Sequence, residues 1–235
     1  MTFEEIMQFL EEHENPDGKK VLMRHGAREP FYGVRIGDLK KVVKKVQTNH
    51  QLALRLYATG NSDAMYLAGL IADESRISKQ ELQDWVKQAY WYMLSEIAVA
   101  DIAAETPYWN ELSKEWMKSE REMIACAGWA TYSSAVSTRP NEELDFEEIK
   151  GLLDVVERSI HTAPNRVRYD MNQFVICVGS YIPELSEKAR RVAETIGKVS
   201  VDMGGTACKV PSAPDYISKV IERGNLGKKR TSARC

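Results

Sequence analysis

Two groups of residues have the types and spacing to act on a polyanion. In the first, Leu39, Val42, Val43 and Val46 recur at helical spacing, with Lys40, Lys41, Lys44 and Lys45 between them and Arg35 just ahead. A helix of this kind turns its apolar stripe inward and lines its lysines up outward, an arrangement that can track a phosphate backbone. In the second, Arg166 and Arg168 open a later helix, Arg121 precedes another, and Lys228, Lys229, Arg230 and Arg234 crowd the last residues of the chain. One acidic position also stands out. Asp101 is a lone carboxylate among Ala98, Val99, Ala100, Ile102 and Ala103. It reads either as a functional group in a cleft or as a polar residue meeting solvent or a neighbouring helix end.

Other chemistries find no support in the spacing. Cys126, Cys177, Cys208 and Cys235 are far apart and form no C-x-x-C pair, and His13, His25, His50 and His161 are scattered. The expectation is free thiols in a reducing cytoplasm, with no metal site and no cofactor. Gly204-Gly205 follows no strand, so it reads as a tight turn and not a phosphate loop. Asn172, in an apolar helix beside Phe174, is a satisfied core amide or a cleft residue.

These residues must be positioned by helices. The 235 residues, 43% apolar and 28% charged with a mean hydropathy of −0.41, are enough for a well-buried core and too polar for a membrane span. The acidic start Met-Thr-Phe-Glu-Glu does not resemble a signal peptide. Thr2 and Glu5 have the spacing of a capping box. Helical periodicity follows over 39–46, 52–56, 64–71, 78–105, 108–117, 120–136, 146–160, 165–181, 184–196 and 214–223, with prolines at the joints. Small residues from Ala64 to Ile71 suggest tight helix crossing. Apart from a short extended piece near 199–201, nothing alternates with period two. The expected fold is all-α, a right-handed α-α superhelix of HEAT- or armadillo-like hairpins over 1–223, followed by a flexible basic tail over 224–235.

The formal net charge of −2 conceals a field. From Lys19 to Arg55 ten basic residues face two acidic ones; from Tyr57 to Glu122 six face twelve; from Arg166 onward thirteen face seven. Two basic zones flanking an acidic centre suit a polyanion gripped at two places, and equally suit ordinary solvated helix faces.

Phe31-Tyr32-Gly33-Val34-Arg35-Ile36-Gly37-Asp38-Leu39 with the lysine-rich helix resembles the opening signature of the AlkC/AlkD-type DNA alkylation repair family. Tyr90 to Asp101 looks like the helix bearing that family's W-D-x-V-D element. Val167 to Ile176 falls where the family has a late helix facing substrate, and Val201 to Pro211 with the basic tail looks typical of a bacterial subgroup. The resemblance spans most of the chain. It implies a concave basic surface cradling duplex DNA and, in the glycosylase members, release of cationic N3- and N7-alkylated purines, in the AlkD branch without flipping the base; separately, the expected state is a monomer. In that reading Asp101 stabilises the positive charge developing on the sugar, and Trp91 or Trp129 supplies an aromatic wall. Two departures weigh against the chemistry: Ile97 replaces the family's stacking tryptophan, and Cys126 stands where its arginine falls. A non-catalytic nucleic-acid-binding module is the alternative, and a protein-interaction scaffold a third.

Overall fold

The computed structural model describes residues 1–234; Cys235 lies outside the described residues. Thirteen α-helices carry the chain, and no strand occurs among the described residues. The first three are α1 (Phe3–Glu12), α2 (Pro16–Arg24) and α3 (Ile36–Val46); then come α4 (His50–Tyr57), α5 (Ser62–Ile71) and α6 (Lys79–Gln88). A π-helical segment, Met93–Val99, runs into α7 (Ala100–Glu105), followed by α8 (Trp109–Met117) and α9 (Glu122–Thr138). The chain ends with α10 (Phe146–Ser159), α11 (Asn165–Tyr181), α12 (Pro183–Ile196) and α13 (Ala213–Glu222). Among the described residues, no helix is long and apolar enough to cross a membrane. The expected capping box closes α1: Thr2 Oγ1 accepts from the Glu5 backbone, and Glu5 accepts from the Thr2 backbone.

The helices stack as hairpins in two layers. An inner row of α5, the π segment with α7, α9 and α11 is packed neighbour to neighbour, and α4, α6, α8, α10 and α12 lie behind it. The layers follow from the sequence pattern. Inner-row helices are buried nearly all round, with small residues at the crossings, whereas α10 and α12 bury a single apolar stripe. Glycine sets the closeness of two crossings. A methyl group on Gly69 would fall 2.5 Å from the Ala98 carbonyl oxygen, and one on Gly128 would fall 2.5 Å from the Met117 nitrogen. Gly128→Ala is therefore expected to lower stability by about 1–3 kcal/mol through overpacking against backbone. Gly151→Ala, where nothing lies within 4 Å on the exposed face of α10, is expected to raise it by up to about 1 kcal/mol. Urea denaturation of the two variants checks both signs.

The structure departs from the periodicity in three places. The helix α2 lies outside the stretches of helical periodicity. It begins at Pro16 behind an Asn15 cap and is too short and polar to show an apolar stripe. The single helix expected over 78–105 is broken at 89–92. Trp91 is drawn into the core, where its Nε1 donates to Ser62 Oγ at 2.9 Å, while Tyr90 donates to the Arg28 carbonyl. Finally, the tail expected to be flexible is docked. Ser232 Oγ, the Ala233 amide and Arg234 Nε all donate to Glu105. Arg234 also reaches the Ala72 carbonyl and Glu74 at 2.6 Å each, and Ala233 is fully buried. A run rich in lysine and arginine reads as solvated until its carboxylate partners, from remote helices, are in place.

Candidate functional site

A cavity of about 350 Å³ opens along the inner row, lined by Tyr66 of α5, Glu96 and Ile97 of the π segment, and Asp101 of α7. Ser134 of α9, Tyr169 and Asp170 of α11, and Arg230 of the docked tail complete it. The π segment explains why two acidic groups share this cavity. In a straight α-helix residues five apart diverge by about 140°, so Glu96 and Asp101 would face apart. The wider π turn carries both onto one wall.

Asp101 is 9% exposed and accepts a hydrogen bond from Ser134 Oγ at 2.8 Å. Burial pushes its carboxyl up to about 7, against the pull of Ser134 and the positive field of Arg230. At neutral pH it is therefore divided between charged and uncharged forms.

Glu96 and Arg166 form the strongest charge pair in the cavity. The guanidinium makes two parallel bonds of 2.6 Å to the carboxylate, with both side chains buried. It is also sandwiched between aromatic rings, 4.5 Å from the Tyr92 centroid and 4.1 Å from that of Tyr169. Beside this pair, burial and the neighbouring Glu96 charge drive the Asp170 carboxyl well above the usual range. Asp170 holds a proton while Glu96 holds the charge that balances Arg166. Cys126 lies against the two carboxyls, its thiol pushed up by burial.

A second cavity of about 540 Å³ continues from the first, sharing Tyr66, Tyr92 and Ile97. It is mostly apolar and is walled by the 31–34 turn. There the buried Asp63 accepts from the backbone of Tyr32, Gly33 and Val34 at 2.6, 3.0 and 3.1 Å. Gly33 has φ +73, with the Lys19 backbone 2.9 Å from where a side chain would begin. The opening motif is thus a structural turn that presents Arg35 at the cavity edge.

The sequence-derived candidates divide into three groups. Asp101, Arg166 and Arg230 meet in the first cavity, and Arg35 and Trp91 line the second. Lys40, Lys41, Lys44 and Lys45 form the exposed face of α3, opposite the buried Leu39 and Val42, with Lys41 paired to Asp38 at 2.7 Å. The others are engaged by the fold. Arg121 donates to the Lys87 carbonyl, Arg168 to the Ala163 carbonyl, and Lys228 to Asn225. Lys229 is half-buried on the Val136 carbonyl, and burial lowers its ammonium to about 8. Two roles need correction. Arg166, expected to meet phosphate, is committed to Glu96. Trp129, expected as a pocket wall, packs in the core edge-to-face with Phe174. The weighed Asn172 is a buried amide donating to the Pro211 carbonyl. Glu96, Ser134, Tyr169 and Asp170 were missed; a signal was that Asp170 is the one acidic residue of α11.

Comparison with known proteins bears on these arrangements. A family model described as DNA alkylation repair enzyme matches residues 6–191. A protein of Listeria monocytogenes is 34% identical over 229 residues, covering 95% of this chain and 99% of its own. One of Listeria innocua is 33% identical over 231 residues, covering 96% and 100%. A solved structure, 36% identical and covering 100% of both chains, superposes with a TM-score of 0.91. It is described as a new family of proteins related to the HEAT-like repeat DNA glycosylases with affinity for branched DNA structures.

Proposed function

The chain belongs to the DNA alkylation repair enzyme family, and from that premise we propose that it binds DNA along its inner helix row and recognises DNA structure without excising bases. In this reading the HEAT-like superhelix supplies the wall that DNA lies against, and Arg35 and Arg230 stand at its two cavities. The exposed lysine face of α3 extends this positive surface toward phosphates. Affinity for branched DNA, described for the solved relative, carries over as the expected preference.

One observation favours binding over excision. Releasing a cationic purine calls for an aromatic, negatively charged box open to the base. Here that box, made of Glu96, Tyr92 and Tyr169, is filled by the chain's own Arg166. In the resemblance drawn from the sequence, the family's arginine falls on Cys126, which is fully buried. Base excision remains the second reading, favoured by Asp101 on the cavity wall.

Binding is tested by fluorescence anisotropy on linear duplexes and on three- and four-way junctions across a salt series. The expected result is tighter binding to junctions, falling steeply with salt. Reversing charge at Lys40, Lys41, Lys44 and Lys45 is expected to weaken all substrates alike and to flatten the salt slope. In parallel, alkylated duplex is assayed for released methylpurine. No release above the uncatalysed rate is expected. Release abolished by Asp101→Asn would install the excision reading, and absence of DNA binding at low salt would overturn both.

A further inference from the structure

The convergence of Glu96, Cys126 and Asp170 is used by neither reading. One ligand atom from each lies within 4.8 Å of the other two; Glu96 and Asp170 line the first cavity, and the fully buried Cys126 lies behind them. Their order in the chain gives no hint of this, because they come from the π segment, α9 and α11. Asp170 is 3% exposed, and its Oδ2 has no hydrogen-bond donor. A carboxyl group buried beside a second carboxylate and a thiol calls for a proton or a metal cation among them; the proton on Asp170 fills that need when no metal is bound, and Oδ2 is the oxygen left over to bind one.

We propose that Glu96, Cys126 and Asp170 form a binding site for a divalent metal of the zinc class, with its fourth position open to the cavity. The donor set, one sulfur and two carboxylate oxygens, is of the type zinc accepts. With bond lengths of about 2.0–2.3 Å, ligand atoms around a tetrahedral zinc lie roughly 3.4–3.7 Å apart. The three ligand atoms, all within 4.8 Å of one another, need only small side-chain adjustments to reach that spacing.

Charge balance supports the exchange. Without metal, the Glu96 carboxylate offsets the Arg166 guanidinium, and a carboxylic acid at Asp170 and a thiol at Cys126 add no charge, so the cluster is neutral. When Zn²⁺ enters, the Asp170 O–H and Cys126 S–H bonds break, Zn–O and Zn–S bonds form, and two protons leave to buffer. Three anionic ligands and two cations, one of them divalent, again sum to zero. Arg166 stays in place throughout and keeps the site from carrying a net negative charge. Gln173 and Tyr169 border the open side, where water or a phosphate oxygen would complete the coordination.

The experiment uses the full, untagged chain, stripped with chelator, in a Cys208→Ser background. Cys208 is exposed and its sulfur sits 3.7 Å from His25 Nε2, a pair able to capture metal by itself. Titration with Zn²⁺ is expected to show one equivalent bound and about two protons released per metal, measured calorimetrically in buffers of different ionisation enthalpy. Co²⁺ is expected to give a thiolate-to-metal band in the near ultraviolet and the strong visible absorption of a tetrahedral ion. Cys126→Ser should remove the ultraviolet band, and Asp170→Asn should weaken binding at least roughly tenfold. If these variants misfold, proton release by the parent still decides: metal binding without it overturns the site. No binding at saturating Zn²⁺, or cobalt spectra unchanged by Cys126→Ser, also overturns it.

Discussion

Arg166→Ala is expected to lower the stability of the protein by about 3–5 kcal/mol, because it leaves the Glu96 carboxylate buried without its partner. The pair exchanges two 2.6 Å bonds in a setting where both side chains are largely dry, so water cannot replace the guanidinium at equal strength. The loss depends on pH with a defined sign. Burial already raises the Glu96 carboxyl above its ordinary value, and Arg166 opposes that shift. Without Arg166 the folded-state value climbs further above the unfolded one, so the penalty falls on the charged form. The variant should recover stability as pH drops through that raised value and be weakest at alkaline pH. Two further measurements separate this from simple loss of packing. The double variant Arg166→Met with Glu96→Gln should cost far less than Arg166→Ala alone, because no unpaired charge remains. Guanidinium at millimolar concentration should raise the urea midpoint of Arg166→Ala and leave that of the parent unchanged, since the box of Glu96, Tyr92 and Tyr169 is then vacant for it. A uniform loss at every pH, with no response to guanidinium, would mean that Arg166 acts only as bulk.

What the sequence made legible follows from the range of the interactions involved. Helix positions and caps are local, so α1, α3, α9 and α11 appear within a few residues of where apolar spacing and Thr2 place them. The lysine face of α3 is legible for the same reason, since Leu39 and Val42 fix which side is buried. The cavity was only partly legible. Asp101 stands out by composition, but Glu96 reaches the same wall only through a π turn, and 3.6-residue periodicity assigns it to another face. Arg166 looks like one more basic residue until Glu96, 70 positions away, and two tyrosine rings surround it. The tail misleads in the same way. Its charges read as solvated, yet Arg234 meets Glu105 and Glu74 more than a hundred residues upstream. Charge alone tells what a residue would bind, and only the fold tells whether the chain has already supplied it.

Asp101→Asn is expected to stabilise the protein at neutral and alkaline pH by up to about 4 kcal/mol, an unusual direction for a substitution at a buried site. In an unfolded chain an aspartate titrates near 3.9, whereas burial holds Asp101 near 7 in the fold. Folding therefore opposes ionisation, and the linkage sign is fixed. Below about pH 4 the group is protonated in both states and costs nothing. Between pH 4 and 7 the unfolded chain releases the proton while the folded one keeps it, so stability declines as pH rises. Above 7 both are ionised and the penalty is constant, at about three units or 4 kcal/mol. Asparagine has nearly the shape of the protonated carboxyl and keeps an oxygen for the Ser134 hydroxyl, now 2.8 Å away, so it escapes the penalty. The difference between Asp101→Asn and the parent should thus be small at pH 4, grow through pH 7 and then level off in urea denaturation curves. A flat difference across that range would mean Asp101 is ionised through contacts with Arg230 and the tail. Whether the carboxylate serves a purpose beyond folding is read from the DNA assays. Junction affinity that falls in Asp101→Asn, with no base release from either form, would assign Asp101 to recognition. Base release present in the parent and absent in Asp101→Asn would assign it to catalysis.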